Sequence, residues 1–145
     1  MLLDAEFQSR DEAITALVNA AADSGRISKA DDVVAAALAR EEQHSTGVDH
    51  QVAIPHARSS AVTQPTLAFA RLREPGVVWA EGEEPSRLIF LIAVPDNAGK
   101  AHLRLLSKLA RNVMKEDFRN ALYAAQTPAA AVDVINEVVG LEVAS

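Results

Sequence analysis

Leu88-Ile-Phe-Leu-Ile-Ala-Val94 is an unbroken apolar run that ends at Pro95. A run of strand length with no polar residue predicts a strand covered on both faces, at the middle of a sheet. Two covered faces call for helices on both sides of that sheet, and the flanking sequence supplies them. On the N-terminal side, Ser9 and Glu12 form a capping box. Ala13, Ile14, Leu17, Val18 and Ala21 then keep helical spacing up to a stop at Ser24-Gly25. Ser28 is expected to open a second helix, with Asp31 and Asp32 in its first turn and Val33, Val34, Ala37 and Leu38 as its buried stripe. These two helices should form an αα-hairpin. On the C-terminal side, Leu103, Leu106, Ala110 and Val113 recur at three and four in a helix expected to open at His102. Glu116 and Asp117 begin another helix that runs through Ala125. Thr127-Pro128 is an N-cap followed by an N1 proline, opening a last helix that Gly140 should end, with 141–145 a frayed tail or the start of a linker.

Further strands are expected at Val52–Ile54 and Thr66–Leu72, with a short one at Val77–Trp79. Glu74-Pro75-Gly76 and Glu81-Gly82 read as turns. The expected architecture is therefore one α/β domain over residues 1–145, with helices on both faces of a small mixed sheet.

Composition narrows the function. The apolar fraction of 49% and the charged fraction of 23% are those of a globular domain. A net charge of −6 provides no basic footprint for nucleic acid. There is no cysteine, so no disulfide, thiolate metal site or thiol nucleophile. The N-terminus has neither a basic nor an apolar region of secretory type. The longest apolar run is far below the roughly 20 residues that span a bilayer. A cytoplasmic chain without membrane insertion is the expectation.

The chemistry centres on Gln51-Val-Ala-Ile-Pro-His56. Pro55 cannot donate to a ladder and holds Ile54 extended, so the strand should end there and present His56 on the sheet rim. A neutral imidazole is a nucleophile near pH 7. Phosphate-binding groups stand upstream in Arg40-Glu-Glu-Gln-His-Ser-Thr-Gly47. Arg40 shares the apolar face of its helix and lies in its last turn. It can complement the helix dipole, or grip phosphate oxygens beside His56. Ser45 and Thr46 can donate to an anion, and are equally ordinary helix-exit residues. His102 faces inward with Leu105, Leu106 and Leu109, either to pack there or to donate to a phosphoryl oxygen. His44 and His50 read as exposed loop residues, and their spacing with His56 is poor for a metal. Glu41-Glu42 and Glu83-Glu84 read as solvated pairs. No phosphate-cradling glycine loop, hydrolase elbow or metalloprotease motif is present.

Taken together, Arg40-Glu41-Glu42, Ser45-Thr46-Gly47, Val52-Ala-Ile-Pro-His-Ala57, Leu88–Pro95 and His102-Leu103 resemble the enzyme IIA domain, fructose–mannitol class, of the bacterial phosphoenolpyruvate:sugar phosphotransferase system (PTS EIIA type 2). The resemblance runs from the capping box to the final helix. It implies a three-layer α/β/α sandwich around a small mixed sheet. It places the phosphorylated histidine at His56, a phosphate-contacting arginine at Arg40 and a second active-site histidine at His102; Ser45 and Thr46, as hydroxyl donors, are the further expected phosphate contacts. It implies transfer from phospho-HPr to His56, then to a cysteine of a IIB domain, and so to a sugar, of fructose type, entering through a IIC transporter. No metal or cofactor is required, and partner docking is expected on an apolar patch around His56. The loop Val48-Asp49-His50-Gln51 carries less glycine than is usual in the family. A nitrogen-regulatory IIA protein that controls partner proteins is the alternative within the same fold.

Overall fold

The computed structural model describes residues 2–139, with the side chains of residues 101–103 and 139 outside that description. The element order is β1 (Leu2–Ala5), α1 (Arg10–Ala22), α2 (Ala30–Gln43), β2 (Gly47–Val48), β3 (Val52–Ala53), β4 (His56–Arg58), β5 (Thr66–Leu72), β6 (Leu88–Val94), α3 (Gly99–Val113), α4 (Glu116–Ala124) and α5 (Pro128–Val139). The strands form one mixed sheet in the order β1-β5-β6-β3-β2, with β4 also paired to β6. As the apolar run requires, β6 is interior and buried at every residue. It runs antiparallel to β5 and parallel to β3 and β4.

Both faces of the sheet are covered. One layer of core packs Ile14, Leu17 and Val18 of α1 and Val33 and Ala37 of α2 against Ile89, Leu91 and Ala93. The other packs Leu105, Leu109, Leu122 and Ile135 from α3, α4 and α5 against Leu88, Phe90, Ile92 and Val94. Alternation along β6 thus assigns successive residues to opposite layers. The expected three-layer α/β/α sandwich is observed.

Side-chain caps close the N-terminal ends of α1 and α5. The Ser9 hydroxyl accepts from the Glu12 amide at 3.1 Å, and the Glu12 carboxylate accepts from the Gln8 amide at 3.2 Å. Thr127 caps α5 by accepting from the Ala130 amide at 3.1 Å. Ser28 does not cap α2. Its hydroxyl donates to the Ala61 carbonyl, and Lys29 occupies the N-cap without a side-chain bond. A tertiary acceptor has taken the hydroxyl that local spacing assigned to the helix. α3 begins at Gly99, so His102 lies in its first turn instead of opening it. Its buried face runs through Leu105, Leu109 and Val113, and Ala110 is exposed. Val77–Trp79 is not a strand. Only Val77 bridges to Ser86, at the base of a loop that buries Trp79. The expected helix stop at Gly140 and the tail 141–145 lie outside the described residues. Among the described residues, no helix is long and apolar enough to cross a membrane.

Candidate active site

Pro55 interrupts the sheet without ending it. Its carbonyl accepts from the Ile92 amide at 3.0 Å, and the chain resumes beyond it as β4. His56 is therefore the first residue of a new strand, paired in register with Ile92 of β6, and does not close a strand on the rim. The missing proline N–H breaks the ladder at one residue only, because the flanking residues keep their own partners. Alternation along β4 puts His56 and Arg58 on one side and the buried Ala57 on the other. α2 packs along β4.

Ala36, Ala39, Arg40 and Gln43 of α2 and His56 and Arg58 of β4 line a shared cleft of about 310 Å³. His56 is half-buried in it. Its Nδ1 lies 3.1 Å from the Ile54 carbonyl oxygen. That oxygen can only accept, so Nδ1 carries the proton, and in the neutral ring the lone pair sits on Nε2. Burial lowers the His56 pKa below the usual imidazole value. The bond to Ile54 opposes that shift, Arg40 adds to it, and Glu41 works against Arg40. The net direction keeps the ring neutral, the form in which Nε2 is a nucleophile.

Arg40 serves the end of its helix and also borders the cleft. One guanidinium nitrogen, NH1, donates to the His44 carbonyl at 2.9 Å, closing the end of α2. Its half-buried side chain also lines the His56 cleft. Ser45 and Thr46 are turned elsewhere. Ser45 Oγ donates to Glu83 Oε1 at 3.2 Å and accepts from the Gly47 amide at 3.1 Å. Thr46 is 7% exposed, and its hydroxyl donates to Glu41. Neither residue lines the cleft. His102 belongs to α3, and its side chain lies outside the described residues. His44 and His50 are exposed. Among the described residues, no group of three or more His, Asp or Glu is placed to hold a metal ion.

Several features of the site depart from the expectations. Glu41 is not part of a solvated pair but is buried at 3% exposure, because it follows Val33 and Ala37 at intervals of four on the inward face of α2. Gln43 and Arg58 also border the cleft. The two-residue alternation from His56 to Arg58 is the signal that could have found the second. The apolar part of the cleft wall is Ala36 and Ala39, not a broad patch. Val48, Val78 and Met114, large and exposed, lie outside it.

Fold and cleft together define a class: a mixed-sheet α/β domain in which a half-buried imidazole on a strand and a guanidinium at a helix end line one cleft. The family model for the phosphoenolpyruvate-dependent sugar phosphotransferase system, EIIA 2, matches residues 1–138, and the chain belongs to that family. Its members are phosphotransferase components. The chain is 40% identical over 131 residues to the fructose-specific EIIA component of Haloferax volcanii, covering 90% of this chain and 85% of that protein. It is 33% identical over 136 residues to the fructose-specific EIIABC component of Bacillus subtilis, covering 93% of this chain but 21% of that longer protein. Among solved structures it resembles the nitrogen regulatory protein IIA-Ntr of Neisseria meningitidis, with a TM-score of 0.81, 34% identity and coverage of 92% and 91% of the two chains. The enzyme IIA of mannitol type in its complex with phosphorylated IIB, from Escherichia coli, shares the fold at a TM-score of 0.78 and 20% identity, over 94% of this chain and 93% of that one.

Proposed function

We propose that the chain acts as a single EIIA domain, a phosphocarrier that takes a phosphoryl group from phospho-HPr onto His56 Nε2 and passes it to a cysteine of a IIB domain during uptake of a fructose-type sugar. The observation that carries this reading is the Nδ1–H···O bond from His56 to Ile54, which assigns the ring proton to Nδ1 and makes Nε2 the basic nitrogen of a ring that lines the same cleft as Arg40. In the first step Nε2 forms a bond to phosphorus as the P–N bond of the donor histidine breaks, and the donor nitrogen keeps the electron pair. The accepting ring becomes cationic, and the Ile54 carbonyl at Nδ1–H stabilises that charge. In the second step a thiolate attacks phosphorus and Nε2 recovers its pair. The transition state is loose and carries its charge on the equatorial oxygens, so alignment and fixed positive charge suffice. Arg40 supplies a permanent fork for those oxygens, and His102 would donate from α3. Ser45 and Thr46 would reach the anion only after leaving their carboxylate partners.

Fructose specificity is taken from the two fructose-specific relatives. The similarity to a nitrogen regulatory IIA protein supports a second reading, a phospho-switch that controls a partner by its charge state. The purified chain should become labelled when incubated with phosphoenolpyruvate, enzyme I and HPr, with an acid-labile and base-stable bond. His56→Ala should take no label; labelling of that variant would end the reading. Passage of label to a fructose-type IIB separates the carrier from the switch, which retains it.

A further inference from the structure

Glu41 is a buried charged group that the relay above leaves unused. It directly follows Arg40 and accepts from three neutral donors. Oε2 accepts from the Thr46 amide at 3.0 Å, and Oε1 accepts from the Thr46 hydroxyl and, at 3.0 Å, from the Trp79 indole N–H. The indole also reaches Thr46 Oγ1 at 3.1 Å. Burial at 3% exposure makes each of these bonds expensive to lose.

The clamp on Thr46 touches both halves of the cleft. His44 lies between Glu41 and Thr46, and its carbonyl is the acceptor for Arg40. On the other side, the Thr46 carbonyl accepts from the Ile54 amide at 3.0 Å. The Ile54 carbonyl is in turn the acceptor for His56 Nδ1–H. One continuous set of bonds therefore runs from Glu41 through Thr46 and Ile54 to the imidazole, while the same turn presents the carbonyl that holds the guanidinium.

We propose that Glu41 is a positioning residue of the phosphoryl relay: its carboxylate clamps Thr46 and Trp79 onto the last turn of α2, and so fixes both the ring of His56 and the guanidinium of Arg40. The inference rests on the phosphocarrier reading of His56. It also explains why Thr46 faces inward, as part of the clamp and not as a phosphate ligand. The charge of Glu41 has a second, smaller effect, since it opposes that of Arg40 at His56.

The test compares the wild-type chain with Glu41→Gln, Thr46→Val and the exposed neighbour Glu42→Gln. Three readouts are taken: thermal unfolding, steady-state acceptance from phospho-HPr resolved into kcat and KM, and the nitrogen NMR shifts of His56. In Glu41→Gln and Thr46→Val, kcat should fall about tenfold or more while KM changes by about twofold at most, as expected for misalignment. The His56 ring should shift from the Nδ1–H tautomer toward a mixture, and Glu42→Gln should match wild type in all three. A lowered melting temperature with unchanged kcat per folded molecule and an unchanged tautomer would overturn the proposal. If Glu41→Gln does not fold, Thr46→Val alone carries the decision. A wild-type chain that takes no label at all defeats the phosphocarrier reading, whereas the tautomer readout still decides whether Glu41 orients the ring.

Discussion

Arg71 and Arg40 each donate to carbonyls at the C-terminal end of a helix, and their surroundings differ. Arg71 projects from β5 and is 7% exposed. Its NH1 donates to the carbonyls of Leu122 at 3.0 Å, Tyr123 at 3.1 Å and Ala125, all at the end of α4. Its NH2 donates to Asp4 of β1, the neighbouring strand, at 3.1 Å. The fork is enclosed by three segments of chain and ties them together. Arg40 makes the same kind of bond, to His44, but its other side borders the cleft. Both cations complement a helix dipole. What separates a structural guanidinium from a candidate phosphate ligand is the space on the side away from the cap.

That contrast can be tested by removing each group. Arg71→Ala strands buried carbonyls and releases β1, so chemical denaturation should show a loss of about 3 kcal/mol or more. Phosphoryl acceptance per folded molecule should stay within about twofold of wild type, and a collapse of that rate in a folded variant would erase the distinction. Arg40→Ala should do the reverse. Its rate of acceptance should fall about 10²-fold, the usual loss for one fixed donor to a charged transition state. Its stability should fall by only about 1 kcal/mol, for one cap bond and one dipole contact. Arg40→Lys should recover part of the rate, because a point charge replaces a planar fork.

The smallest expected effect is on pH. With its native pKa lowered, His56 should titrate below about 6.5 by NMR. The neutral ring is the nucleophile, so acceptance should rise with pH through that lowered value and be nearly level by pH 7. The stability sign follows from linkage. The unfolded chain binds the proton first as pH falls, so the contribution of neutral His56 is intact above about 6.5 and is lost on the way down to the native pKa. A midpoint at or above 6.5 would contradict the half-buried, Arg40-facing position.

Where a signal is carried by a long apolar run or by one short-range bond, sequence and structure agree. Thr66–Leu72 and Leu88–Val94 are strands with the expected bounds. The Ser9 and Thr127 caps close as their spacing requires. Disagreement begins where a residue has a distant competitor. Ser28 turns to Ala61, and Glu41 is buried against Thr46 and Trp79. β1 and β2 are too short to show a period, and exist because β5 and β3 offer ladder partners.

The chain's linear order was enough to establish a two-sided central strand, helices to cover it and an imidazole just after a proline, because each depends on neighbours within a few residues. The company that imidazole keeps was settled by packing. α2 had to lie along β4 before Arg40 could border the same cleft as His56, and the loop between β5 and β6 had to bring the buried Trp79 to Glu41. Contacts between residues so far apart in sequence form only where the two core layers bring their elements together, and no local period or cap encodes them.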